Sequence, residues 1–178
     1  MSALEVCVCG FEAPAIDGPR HSYFNNTGGC WAAFGEVIAR EYTTPALFEV
    51  HTLNVDTYAA QHPGGAHPDK SVAIHLVGLY LALERGVPAT EVPRNHKRLA
   101  DSLRTWPHFE PPAQLGRVRA IDVARARTAE SHLAASRAWA RSVWDAWSAQ
   151  DAAVIEFARA SGHETAREAP SRLAGRRR

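Results

Sequence analysis

The 178 residues are enough for one domain with a real hydrophobic core. The composition, 46% apolar and 22% charged with a net charge of +1, is that of an ordinary globular protein. It gives no electrostatic footprint for nucleic acid or a membrane surface. The sequence shows no leader and no apolar run long enough to cross a bilayer, so the expected setting is cytoplasmic. In that reducing compartment the three cysteines, Cys7, Cys9 and Cys30, read as thiols or metal ligands rather than disulfide partners.

Residues 1–29 lack helical period and are rich in turn formers. Glu5 to Gly10 reads as a short extended piece ending in a glycine turn, and Asp17-Gly18-Pro19 as a second turn. From Cys30 the pattern changes: Trp31, Phe34, Ile38 and Tyr42 recur at three- and four-residue steps opposite Glu36, Arg40 and Glu41, an amphipathic helix. Thr44 as N-cap and Pro45 at the first helical position start a second helix that runs to about Gln61 and stops before Pro63-Gly64-Gly65. Pro68-Asp69 caps a third, Ser71 to Leu83, which is apolar on every side and is therefore the expected buried centre.

Thr90 to Leu103 reads as a more polar helix carrying His96, and Trp106 to Pro112 as a stiff loop packed down by its aromatics as a lid or brace. A long helix is expected from Asp122 to Trp147 with a stripe of Trp139, Val143, Trp144 and Trp147, extended or followed by Ala152 to Ala160. No sheet is convincing. The expected fold is mainly α: a bundle of about four to six helices over 30–162, an irregular Cys-containing module over 1–29, and a flexible basic tail over 163–178. That tail holds five arginines against two glutamates.

Two constellations could carry chemistry. Cys7, Cys9, Cys30 and His51 are the types a zinc ion takes, although Cys7-Val8-Cys9-Gly10 has one intervening residue where zinc knuckles usually have two or more. Cys30 starts a helix, where the dipole favours a thiolate. The plainer reading is three unligated thiols. The second constellation is His21, Tyr23, Asp56, Tyr58, His62, His67 and His75. His75 lies in the apolar helix and can bond a carboxylate such as Asp56, which would fix its tautomer and suit a general base. The plainer reading is a core histidine satisfied by a neighbour.

These residues together resemble the DUF5946 family, known as uncharacterised bacterial proteins. The resemblance rests on Gly18-Pro19-Arg20-His21-Ser22-Tyr23, then Gly29-Cys30-Trp31-Ala32-Ala33-Phe34-Gly35-Glu36. It continues through Val50-His51 to Val55-Asp56-Thr57-Tyr58 and Gln61-His62-Pro63-Gly64, and through Ser71-Val72-Ala73-Ile74-His75-Leu76. It extends by way of Asn95-His96-Lys97-Arg98 and Pro111-Pro112 to Trp144. Family members often begin with Cys-x-x-Cys-Gly, so the resemblance carries Cys9 and Cys30 over more directly than Cys7. It implies a common fold and no established activity.

The functional expectation is a metal-dependent enzyme acting on a small molecule by hydrolysis or activation of water. Cys7, Cys9, Cys30 and His51 would hold zinc or another divalent transition metal. His75, Asp56 and His62 would be catalytic, and His21, Tyr23, Tyr58 and Trp31 would bind substrate. The expected partner is a small-molecule substrate, with a homodimer open and no nucleic acid or membrane. One alternative is a non-enzymatic, zinc-stabilised helical interaction module, which predicts a closed four-ligand site. Another is a metal-free cysteine enzyme using Cys30.

Overall fold

A computed structural model describes residues 3–102 and 104–162. The expected basic tail at 163–178 lies outside the described residues. The N-terminal segment forms a small antiparallel hairpin, β1 (Leu4–Val6) and β2 (Glu12–Pro14), with Glu5 opposite Ala13. Its turn closes through Gly10 N–H to the Cys7 carbonyl at 2.8 Å and Cys7 N–H to the Phe11 carbonyl at 2.9 Å. Gly10 takes φ +79°, a left-handed conformation that glycine adopts without Cβ strain.

Seven α-helices follow among the described residues: α1 (Gly28–Thr43), α2 (His51–Ala60), α3 (Asp69–Leu83), α4 (Val92–Ser102), α5 (Ala120–Ala124), α6 (Ala129–Ala146) and α7 (Asp151–Ala160). The chain is mainly α, as its periodicity indicates, but two expected helices are broken. Between α1 and α2, Pro45–Val50 forms a 3-10 helix rather than the first turns of one long helix. Leu47 and Val50, three residues apart, are both buried, and a three-residue repeat keeps both on the core side.

The expected helix from Asp122 to Trp147 is likewise two. Thr128 and Ser131 cap the head of α6 reciprocally, so a new helix starts there. Arg40 reaches across from α1 to bond the carbonyls of Ala124 at 2.8 Å and Ala126 at 2.7 Å, holding the ended α5 in place. The Trp106–Pro112 loop is a brace: Phe109 is buried and packs on Phe157 of α7.

Helix α3 is the axis of the bundle, packed against α2, α4, α6 and α7. Val72, Ala73, Leu76, Val77, Leu79, Tyr80 and Leu81 on it are all buried. The tryptophan stripe faces the same core, with Trp139 and Trp147 fully buried. Each buried indole N–H has a partner, Trp139 on Gln61 Oε1 at 2.8 Å and Trp147 on the Ala60 carbonyl at 3.1 Å. No helix among the described residues is long and apolar enough to cross a membrane.

Candidate metal centre and the histidine face

Three segments that are far apart in sequence converge beside α1. The hairpin turn brings Cys7 and Cys9, the first turn of α1 brings Cys30, and the turn after α2 brings His62. Their four donor atoms all lie within 4.8 Å of one another, and all four residues are buried. Cys9 Sγ is 3.7 Å from Cys30 Sγ, and Cys30 Sγ is 3.2 Å from His62 Nε2. Tetrahedral zinc with bonds of about 2.3 Å to sulfur and about 2.0 Å to nitrogen needs donor separations of roughly 3.5–3.8 Å.

The local sequence explains each placement. Thr27 caps α1 by accepting from Cys30 N–H at 3.4 Å, so Cys30 stands at the head of the helix. His62 Nδ1 is 2.7 Å from the Tyr58 carbonyl, which only an N–H can satisfy. The lone pair is therefore on Nε2, the atom aimed at the thiols. A carbonyl behind the ring that fixes the tautomer in this way is a common partner of metal-bound histidine. Arg119 Nε donates to the Cys9 carbonyl at 2.9 Å, tying the hairpin turn to the start of α5.

The electrostatics are those of a cation-seeking cluster. Hydrogen bonding to Cys30 and Cys9 holds the Cys7 thiol far below its usual pKa, while hydrogen bonding to Cys7 and Cys9, with burial, pushes Cys30 far above it. Burial works against a charged His62, yet the thiols of Cys7 and Cys9 outweigh it and push it up to about 9. The low Cys7 thiol and the raised His62 thus favour opposite charges side by side. Three thiols and one imidazole are donors that metal ions take, and the chemistry of this group fits such an ion.

His51, expected as the fourth ligand, is not in this group. Its Nδ1 is 2.9 Å from Glu41 Oε2 and its Nε2 is 3.4 Å from the Tyr42 hydroxyl. Glu41 is fully buried and also receives His132 Nε2 at 3.1 Å and Asn54 Nδ2 at 2.5 Å, so His51 serves a core carboxylate. His62, expected among the catalytic residues, is the imidazole that joins the three thiols. The antiparallel return of the chain explains the exchange: the end of α2, not its start, comes back to the head of α1.

The expected substrate binders lie around the cluster as an aromatic layer. Tyr58 is fully buried, stacked on His62 and Phe34 at 4.0 Å each. Its hydroxyl lies 3.7 Å from Cys30 Sγ and accepts from Asn26 Nδ2 at 2.9 Å. Burial pushes the Tyr58 pKa well up. His21 stacks on Phe24 at 3.9 Å and stands edge-on to Tyr23 at 4.4 Å, with Trp31 at 5.3 Å.

His75 and Asp56 do meet. His75 Nδ1 is 2.7 Å from Asp56 Oδ1, with the carboxylate 1% exposed and the imidazole 16%. Sequence reasoning missed the third member, His96 of α4, whose Nε2 lies 3.4 Å from Asp56 Oδ2. Those last two atoms are buried and too poorly aligned to form a hydrogen bond. Burial opposes ionisation of Asp56, but the charge of His96 and hydrogen bonding to His75 outweigh it and hold its pKa low. Burial likewise opposes a charged His96, and Asp56 more than compensates, so its pKa is raised. Gly78 makes the array possible: a Cβ there would fall 2.1 Å from Asp56 Oδ2 and 2.5 Å from His96 Nε2. A cavity of about 240 Å³ reaches Asp56 from Thr52, Leu53 and Val92 but does not touch His75. A groove of about 950 Å³ between residues 112–118 and α6 contains neither group.

His67 sits between the two groups. Its Nδ1 is 2.9 Å from the His62 carbonyl and its Nε2 is 2.8 Å from Ser71 Oγ. Burial, with the charge of His75 contributing, lowers the pKa of both His67, to about 4, and His21.

Fold and site together define a helical protein with a buried Cys3His group able to hold a metal ion. The chain belongs to the family of unknown function DUF5946, whose model matches residues 5–148. Neither a curated protein nor a solved structure matches it.

Proposed function

We propose that Cys7, Cys9, Cys30 and His62 bind one structural zinc ion that fastens the N-terminal hairpin to the helical bundle. The observation that carries this is the closure of the site. Four protein donors, the number a closed structural zinc site takes, converge, all are buried, and the imidazole tautomer is fixed from behind by Tyr58. No position is left for a substrate at the ion, which favours the zinc-stabilised module over a catalytic metal. Cys30 at 2% exposure, with its pKa raised by its neighbours, is equally ill placed to be a nucleophile. Elemental analysis of protein purified without a His tag tests the proposal. One zinc per chain is expected, with loss of helical circular dichroism on chelation; metal-free, fully folded protein overturns it.

A second reading, metal-independent chemistry on a small molecule, is favoured by the His75–Asp56–His96 array. A buried carboxylate beneath a partly exposed imidazole costs free energy unless the group is used, and it orients His75 with Nε2 free. Diethylpyrocarbonate footprinting read by mass spectrometry tests it. His75 is expected to react faster than His96, and Asp56→Asn to slow it. Equal His75 rates in wild type and variant would remove this reading.

A further inference from the structure

The loop from Pro112 to Arg119 carries two arginines that neither the thiol cluster nor the histidine array uses. Hydrogen bonds from α6 and from the residue after α2 hold its backbone. Ser142 Oγ accepts from Arg117 N–H at 2.8 Å and Val118 N–H at 3.3 Å. Gln61 Nε2 donates to the carbonyls of Leu115 and Val118 at 2.8 Å each. A Cβ on Gly116, at φ +91°, would fall 2.9 Å from the Ser142 carbonyl oxygen, so the loop lies hard against α6.

Two hollows meet at this loop. On one side a cleft of about 450 Å³ separates it from the hairpin turn at residues 8–10, and Gln114, Arg117 and Arg119 line it with no carboxylate among them. On the other side runs the groove of about 950 Å³, with Pro112, Val118, Ala138 and Ala146 as apolar walls. Gln114, Gly116 and Arg117 border both, so cleft and groove adjoin. The carboxylate in the groove wall, Asp145, is answered by Arg141 at 3.8 Å.

The cationic end is held in place yet unanswered. Arg119 Nε donates to the Cys9 carbonyl at 2.9 Å, which fixes the guanidinium plane. A Cβ on Gly10 would fall 2.9 Å from Arg119 Nη2, so the group lies over the hairpin turn. Its Nη edge has no partner among the described residues, and neither has the exposed side chain of Arg117. A fork of N–H donors beside a second guanidinium matches the paired oxygens of a carboxylate or phosphate.

We propose that cleft and groove together bind a single-chain amphiphile, its carboxylate or phosphate head between Arg117 and Arg119 and its aliphatic chain along Ala138 and Val118. Apolar walls with a few placed polar groups are the usual form of a small-molecule site. An alcohol of the same chain leaves both guanidiniums unanswered, and inorganic phosphate leaves the groove empty. Arg119 meets Cys9 through its carbonyl and not its sulfur, so the site takes no donor from the thiol cluster.

Isothermal titration calorimetry on folded full-length protein, with zinc content measured alongside, tests this with octanoate, octyl phosphate, octanol and inorganic phosphate. At least one of the two amphiphilic anions is expected to bind, the tighter one naming the head group. Octanol and inorganic phosphate should bind at least about 10-fold more weakly. Butyrate should bind more weakly than octanoate, since each buried methylene is worth up to about fourfold. Arg117→Gln removes one cation from an exposed side chain and should weaken the tighter anion about 10-fold. Ala138→Glu, at an exposed position of α6, sets a carboxylate in the groove and should weaken it at least as much. Both variants should keep the wild-type circular dichroism, and amide NMR shifts at Gly10, Gly116 and Ala138 should follow the ligand. Octanol binding as tightly as the anions, unchanged affinity in either variant, or no binding of either anion overturns the proposal. Folded protein is titrated whatever its metal content, so that result leaves the zinc reading standing.

Discussion

His62 turns its Nε2 towards Cys30 because its Nδ1 is held 2.7 Å from the carbonyl of Tyr58, one helical turn earlier on the same strand of chain. The imidazole is thus aimed at the thiols by the backbone of the helix that delivers it. His51, the rival imidazole, is spent on Glu41. Replacing each with glutamine separates the two roles. His62→Gln is expected to lose zinc affinity by more than the roughly 10- to 100-fold that changes behind a ligand cost. His51→Gln should keep one zinc per chain. Competition with a chromophoric chelator measures both, and equal affinity in His62→Gln and wild type would rule out His62 as a ligand.

The difference between His51 and His62 shows what the sequence carried and what it did not. Donor types, the Cys-Val-Cys-Gly turn and the head of α1 at Cys30 can all be read along the chain, because each follows from local spacing and capping. Which histidine closes the group depends on how the second helix returns. An antiparallel return puts its last residue, not its first, beside Cys30, and a short Thr43-Thr44 link gave that signal. The buried α3 and its His75–Asp56 pairing were equally legible, since an apolar helix leaves a lone imidazole few partners. His96 was not, because it is one of several polar residues on α4 and only the packing of α4 on α3 brings Nε2 to Asp56. The break at Arg125 was invisible for a similar reason: Arg40, distant in sequence, holds the carbonyls at the end of α5.

Gly78 is expected to tolerate no side chain. In an exposed helix interior, alanine gains about 1 kcal/mol over glycine. Here the added methyl would overlap Asp56 Oδ2 and His96 Nε2, and overpacking of a core costs about 1–3 kcal/mol or more. Because the overlapped atoms belong to a buried carboxylate and its partner, the clash outweighs the propensity gain. Gly78→Ala should therefore lower the urea midpoint at unchanged m, and a raised midpoint would show that the array can shift aside.

The same array sets a pH dependence of stability. The His96 pKa is raised on folding, so its contribution is full below the unfolded value of about 6.5 and is lost as pH rises through the folded pKa. The Asp56 pKa is lowered, so its contribution is full above about 3.8 and is lost as pH falls through the folded value. Stability from this pair is therefore greatest between the two unfolded values and declines above neutrality. His96→Gln should flatten that alkaline decline, and His75 remains as the only imidazole on the carboxylate. Urea unfolding from pH 5 to 9, at fixed zinc, measures the slope; the same slope in both proteins would mean that His96 is not charged in the folded state.

Glu41 is a buried carboxylate whose removal is expected to be costly. It is 1% exposed, with His51, His132 and Asn54 all bonded to its two oxygens, joining α1 to α2 and α6. Asn54 also donates to Ser136 Oγ at 2.9 Å, so the network runs on across α6. Removing one partner from a buried, hydrogen-bonded charge group typically costs about 3–5 kcal/mol, because the groups left behind stay buried without a counter-charge. Glu41→Ala should fall in that range. Glu41→Gln keeps an acceptor but gives up the charge, and should cost less. Zinc stoichiometry should be unchanged in both, since none of these residues touches the thiol cluster. Chemical denaturation with parallel metal analysis checks the pair, and loss of zinc in Glu41→Gln would tie the two networks together against this expectation.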